Sequence, residues 1–121
     1  MVNNPISRDT YYDLDEIHEL VRQDRIFTPN RRASNRIEDL GWDSGELKAF
    51  ILAIEKRHFK KRFPDCDVTG NRKANCDGYR IRYDEESQSS DDLSELDIFV
   101  KLAISPDQVL VVSFHLEGSP G

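Results

Sequence analysis

A histidine at the end of an apolar strand, with a run of cations upstream, makes up the part of this chain best suited to chemistry. The histidine is His115, which closes Val109-Leu-Val-Val-Ser-Phe-His115. The cations are Lys60 and Lys61, within Arg57-His-Phe-Lys-Lys-Arg62, followed by Arg80 and Arg82. These residue types fit cleavage of a phosphodiester beside a 2′-hydroxyl. That reaction needs a group to take the hydroxyl proton, cations for the charged phosphorane, and an acid for the leaving 5′-oxygen. Histidine titrates near neutral pH and can serve as acid or base. Tyr79 and Tyr83 flank the arginines, and aromatic rings commonly stack on unpaired RNA bases.

Each of these residues also has a plainer role. His115 can end a strand at the surface, Arg80 and Arg82 can be the wet face of one, and Lys60, Lys61 and Arg62 can complement a helix C-terminus. His18 lies on a helical stretch beside Ile17 with no evident partner and reads as structural. Cys66 and Cys76 lack a paired Cys-x-x-Cys spacing, so a zinc site with His58 is set aside and both read as free loop thiols. No metal or cofactor is called for.

The charge distribution gives the cations more weight. The chain has 121 residues, 33% of them charged, and a net charge of −6, which argues against a general nucleic-acid coat. Yet residues 51–82 carry nine basic and four acidic side chains, whereas residues 83–121 carry one basic and nine acidic. A positive segment inside an acidic chain suits an anionic ligand. No run approaches the roughly 18 to 20 apolar residues of a membrane span. The start, Met1-Val-Asn-Asn-Pro-Ile, lacks the layout of a signal peptide. A cytoplasmic protein without a membrane partner is expected.

The elements that position these residues follow from periodicity. Asp13 with Glu16 resembles a capping box ahead of Leu14, Ile17, Leu20 and Val21, predicting a helix over 14–24. Thr28-Pro29 predicts a second helix, with Thr28 as N-cap and Gly41 at its end. Asp43 with Glu46, followed by Leu47, Phe50, Ile51 and Ile54, predicts a third over about 44–58. Residues 64–78 read as a long irregular loop with at most a short strand near 64–70. Tyr79, Ile81 and Tyr83 alternate with Arg80 and Arg82, as in a half-buried strand. The acidic, serine-rich 84–95 segment reads as a mobile loop, and 1–10 and 117–121 as flexible tails. Residues 98–104 and 109–115 form the last two strands. The expected fold is a single α+β domain over 1–121, with three N-terminal helices on one face of a small, mainly antiparallel C-terminal sheet.

Register decides whether His115 belongs to a site. Facing residues of an antiparallel pair point to the same side. A two-residue turn pairs Ser105 with Gln108 and sends His115 to the side opposite Phe99 and Lys101. A three-residue turn, or an equivalent bulge, puts Phe99, Lys101, Ser113 and His115 on one face.

Over roughly residues 10–116 the layout resembles the MqsR family of type II toxin–antitoxin ribonucleases, whose fold is related to RelE. The resemblance runs through Leu14-Asp-Glu-Ile-His-Glu-Leu-Val21 and Asp39-Leu-Gly-Trp42, the latter close to the family's Leu-Gly-Leu turn. Phe59-Lys-Lys-Arg62 stands where the family has Phe-Tyr-Lys-Ser, and Tyr79-Arg-Ile-Arg-Tyr83 where Trp-Gln-Asp-Val-Tyr is usual. Phe99-Val-Lys-Leu102 and Val111-Val-Ser-Phe-His115 resemble Tyr-Leu-Lys-Leu and Ile-Val-Ser-Phe-Lys. Carried over position by position, the family's active-site lysine, glutamine, tyrosine and terminal lysine fall on Lys61, Arg80, Phe99 and His115. Arginine for glutamine keeps a donor, phenylalanine for tyrosine loses a hydroxyl, and histidine for lysine favours acid–base chemistry near neutral pH.

The resemblance implies a metal-independent endoribonuclease toxin that cleaves single-stranded mRNA. Lys61, Arg80 and His115 would be catalytic, and Lys60, Arg82, Tyr79, Tyr83 and Phe99 would bind RNA. It also implies a cognate antitoxin with a helix-turn-helix domain. The alternative is a non-catalytic RNA- or protein-binding module on the same fold. DNA binding through the helical half is a weaker reading, since residues 28–58 lack a basic recognition face beyond Arg31, Arg32 and Arg36.

Overall fold

Residues 10–117 are described by a computed structural model. The flexible tails expected at 1–10 and 117–121 lie outside the described residues, apart from Thr10 and Glu117.

Helix α1 (Leu14–Arg22) is capped by Asp13, whose carboxylate accepts from the Asp15 amide at 3.0 Å. Its buried residues Leu14, Ile17 and Val21 sit at helical spacing. Helix α2 (Arg31–Asp39) is capped by Asn30 rather than by Thr28. Asn30 has the extended backbone of a cap, and its side-chain oxygen accepts from the Ala33 amide at 2.9 Å. Gly41, at φ +79, follows α2 as expected. Helix α3 (Ser44–Leu52) carries the complete Asp43–Glu46 capping box. It stops at Leu52, short of the expected residue 58. A 3₁₀ turn over Lys56–His58 follows, in which the buried His58 ring accepts the Glu55 amide at 2.8 Å.

The strands are β1 (Ile26–Phe27), β2 (Phe59–Thr69), β3 (Arg72–Asp84), β4 (Ser89–Ser90), β5 (Asp97–Ile104) and β6 (Val109–Leu116). Their order is β1-β6-β5-β3-β2, with β4 pairing to β3. Only β1 with β6 is parallel, so the α+β fold holds a mixed sheet. Because β1 lies between α1 and α2, the expected sequence of helices first and strands afterwards is corrected.

The irregular loop expected over 64–78 is also corrected: β2 and β3 form a long hairpin turning near Gly70. Three register shifts along it break the alternation that would have signalled strands. The acidic 84–95 segment, expected as a mobile loop, holds a turn and β4. Its polar groups bond to one another and to the core rim. The Ser87 hydroxyl donates to Asp84 at 2.8 Å, the Trp42 indole to Glu85 at 2.6 Å, and the Ser94 hydroxyl to the Tyr83 carbonyl at 2.6 Å.

The main core lies between the helices and one sheet face, where Ile17, Ile37, Phe50 and Ile51 meet Tyr79, Ile81, Val100, Leu102 and Phe114. Trp42 packs against Phe50, Tyr83 and Phe114 with ring centroids 5.4 to 5.7 Å apart. Such aromatic pairs contribute about 0.5–1.5 kcal/mol each beyond burial. On the opposite face Val68 and Cys76 pack with Ala103, Leu110 and Val112 in a second, smaller core. Asn30 shows how this arises. Its side-chain amide donates to both Val68 O (3.0 Å) and Val112 O (2.8 Å), although β2 and β6 have β3 and β5 between them in the sheet. Flat strands stand about 4.8 Å apart, so three spacings would put those carbonyls beyond one side chain. The β2–β3 hairpin therefore curls over the open face, as its bulges permit.

Candidate functional site on the open sheet face

The turn between β5 and β6 follows the two-residue register. Ile104 pairs with Val109, and the Ser105 amide donates to Gln108 O at 2.9 Å. Continued without a break, that register would send His115 to the helix side. A bulge prevents it: Leu102 pairs with Val111 but Lys101 with Ser113, leaving Val112 as the extra residue. Beyond the bulge Phe99 faces His115, and Phe114 turns inward to the main core.

The pairings build two rows across the open face. One runs Lys61, Gly78, Lys101, Ser113, and the next runs Arg80, Phe99, His115. Lys61, Arg80, Phe99 and His115 thus share a face, on four adjacent strands. Lys60 sits at a register shift beside them, between Phe59 and Lys61, and is exposed. Tyr79 and Tyr83 do not join the group. They point into the main core, 1% and 2% exposed, so the base-stacking role expected for both rings is corrected. Tyr79 and Tyr83 have the right spacing for a strand but fall on its other side.

Phe63, absent from the expected set, supplies the aromatic surface with Phe99. Their rings lie 5.9 Å apart edge to face, and Lys101 Nζ and Lys61 Nζ stand 4.0 and 5.2 Å from the Phe63 centroid. Gly78 makes room for them, since a Cβ there would come within 2.6 Å of Phe63 and 2.7 Å of Phe99. The two rings lie where a side chain at 78 would stand. Phe99 also contacts the His115 ring, 5.4 Å between centroids.

Two carboxylates order the charged groups. Asp97, 4% exposed, receives Arg80 Nε at 3.1 Å and Nη2 at 2.8 Å. Arg82 approaches the same carboxylate at 3.8 Å and donates to Ser94 O at 3.2 Å. The Arg80 hydrogen bonds hold the Asp97 carboxyl below its ordinary range, so it is a charged anchor near neutral pH. That fork fixes the guanidinium plane while leaving Nη1 without a hydrogen-bond partner among the described residues. His115 Nε2 lies 2.8 Å from Glu117 Oε2, and the Glu117 amide donates to Asp97 O at 2.6 Å. Glu117 fell in an expected tail, yet the ladder continues to it. Of the residues missing from the expected set, Glu117 follows from strand period, two residues after His115, whereas Phe63, two after Lys61, would follow only had residues 64–78 read as strand.

The remaining histidines are structural. His18 hydrogen-bonds Ile51 O at 3.1 Å, and burial lowers its pKa and that of His58. Cys66 is partly exposed and Cys76 buried on β2 and β3, both as free thiols, and burial pushes the Cys76 thiol up. Among the described residues no group of three or more His, Cys, Asp or Glu is placed to hold a metal ion.

A family model described as motility quorum-sensing regulator, toxin of MqsA, matches residues 9–116. The chain belongs to that family. It is a toxin of a toxin–antitoxin pair, as the resemblance over residues 10–116 implied. No curated protein matches the chain by sequence. No helix among the described residues is long and apolar enough to cross a membrane.

Proposed function

We propose that this family member is an endoribonuclease, with a RelE-like fold, that cleaves single-stranded mRNA in the cytoplasm by attack of the RNA's own 2′-hydroxyl. The observation that carries the reading is the shared face of Lys61, Arg80, Phe99 and His115 across four strands. In the reaction the 2′-oxygen bonds to the adjacent phosphorus and the bond to the 5′-oxygen breaks. The products are a 2′,3′-cyclic phosphate and a free 5′-hydroxyl. His115, oriented by Glu117, either takes the 2′-hydroxyl proton or gives one to the leaving oxygen, and solvent water serves the other transfer. Lys61 and Arg80 stabilise the phosphorane, with Lys101 in the same row as Lys61. Phe63 and Phe99 provide the stacking surface, and Lys60 and Arg82 lie at its margins for flanking phosphates. A cognate antitoxin with a helix-turn-helix domain is the proposed partner.

The test is incubation of the purified chain with single-stranded RNA in EDTA, with analysis of product ends. Cyclic phosphate and 5′-hydroxyl ends, lost in His115→Ala, are expected. Intact RNA, or the same cleavage by His115→Ala, overturns the mechanism. Binding without cleavage would favour a non-catalytic module, a reading to which the missing hydroxyl at Phe99 lends weight.

A further inference from the structure

Between α2 and the curled end of β2 runs a groove of about 700 Å³. It lies in the size range of ligand clefts, about 300–1,000 Å³. It is not separate from the site: Phe63, Lys101 and Ser113 line both. Its α2 wall carries Arg32 and Arg36, and its floor is the Val112 bulge. Arg36 donates to Phe114 O at 3.2 Å, tying that wall to β6. Arg32 is exposed and pairs with no carboxylate among the described residues. Across from it, Asp67 is engaged by Lys73 at 2.6 Å, so one of the groove's two acids is already neutralised.

We propose that this groove is the subsite for the nucleotides on one side of the scissile phosphate. Continuity with the Phe63–Phe99 platform, a volume in the range of ligand clefts and the charge of Arg32 support that assignment. An RNA strand leaving the Phe63–Phe99 platform past Lys101 has the groove directly ahead of it. Arg32 then meets a backbone phosphate, and the groove's Ser113 hydroxyl and polar rim face the sugars and bases. Arg32 therefore sets how many flanking nucleotides the protein engages and is not a catalytic residue. The inference rests on the RNA reading above, but it concerns binding and not bond cleavage.

The experiment uses single-stranded oligonucleotides of two to six residues, 2′-O-methylated so that they cannot be cut. Their affinity for the full chain and for Arg32→Gln is measured by fluorescence anisotropy as a function of salt. Expected is a gain of affinity with length in the wild type that is absent in Arg32→Gln, while the shortest oligonucleotide binds both alike. The salt slope for the longest should fall by about 0.7, the release expected for one phosphate of a single strand. Length-dependent gain that survives in Arg32→Gln, no gain with length in the wild type, or an equal loss at every length overturns the groove. Cleavage of unmodified RNA is scored separately. A chain that shows the Arg32-dependent gain but cuts nothing would refute the catalytic reading and leave the subsite standing.

Discussion

His115 and Arg80 are each paired with a carboxylate, Glu117 and Asp97, whose role is not evident from residue type alone. Glu117 holds one ring nitrogen of His115 at 2.8 Å, so in the proposed reaction the ring is already oriented before RNA arrives. Glu117→Gln should lower kcat by about tenfold or more and leave KM little changed. His115→Gln should cost about 10²–10⁴, the usual contribution of a positioned acid or base. Steady-state kinetics on a short RNA would check both. Asp97→Asn frees Arg80 to swing, and a displaced clamp should reduce kcat on the order of 10- to 100-fold. The same variant has a pH signature. The Arg80 hydrogen bonds depress the folded-state pKa of Asp97, so its stabilisation is complete above the ordinary aspartate value, about 3.9, and is lost as pH falls through the lower folded value. The Tm gap between wild type and Asp97→Asn should therefore be steady near neutrality and close on acidification. A gap that widens in acid would contradict that linkage. Lys61, Arg80, Phe99 and His115 were legible because each carries its own type and motif position. Asp97 was not, because a buried carboxylate reveals its role only through the arginines folded onto it.

Among the elements, the helices were the most readable. Their caps at Asp13, Asp43 and Gly41 work through bonds between residues two to four apart, which spacing alone can reveal. The β2–β3 hairpin was not readable, because its strands are shaped by contacts across the sheet. Pro64 and Asp65 interrupt the pattern, and Asp65 stands at φ +54. Phe63 was hidden with it. Asn30 is the clearest case of a residue whose second task is invisible locally: it caps α2 and also joins Val68 to Val112. Asn30→Asp keeps the cap acceptor but sets a carboxylate against two carbonyls. It should destabilise the fold by about 1–3 kcal/mol, visible as a lower urea midpoint with an unchanged m-value. Asn30→Ser, which also caps, should lose both bridges without adding a charge and fall between the two. Gly78→Ala should cost about 1–3 kcal/mol by overpacking and push Phe63 and Phe99 off the sheet. Weaker RNA binding together with a lower Tm would bear this out, and unchanged binding would remove the platform from the proposal.

At the scale of the whole molecule, the sheet separates two chemistries. One face is committed to the core beneath the helices, and the other holds Lys61, Lys101, Arg80 and His115 beside the curled end of a hairpin. The acidic segment takes up cations at the border: Arg57 reaches Ser90 at 3.3 Å and Asp92 at 4.0 Å, while Arg82 reaches Ser94 O. Asp97 offsets part of the charge of Arg80 and Arg82, so the uncompensated positive charge left for phosphates is chiefly that of Lys60, Lys61, Lys101 and Arg32. For three or four phosphates on a single strand, the slope of log K against log salt should be about −2 to −3. Anisotropy titrations from low to physiological salt would measure it. A slope near zero would mean that the face does not bind RNA through its cations. The net charge of −6 gave no hint of this, since a sum over the chain hides which groups share a face.

The extra residue at Val112 carries a consequence for descent. Substitutions leave the facing of a strand intact, but gaining or losing a single residue reverses every position beyond it unless the ladder absorbs the change. Here β6 absorbs it between Val111 and Ser113. A relative with the same turn and an unbroken ladder can keep a basic residue opposite its aromatic one only if its last strand is one residue shorter. Counting residues from turn to terminal base across family members would show whether length and bulge have changed together.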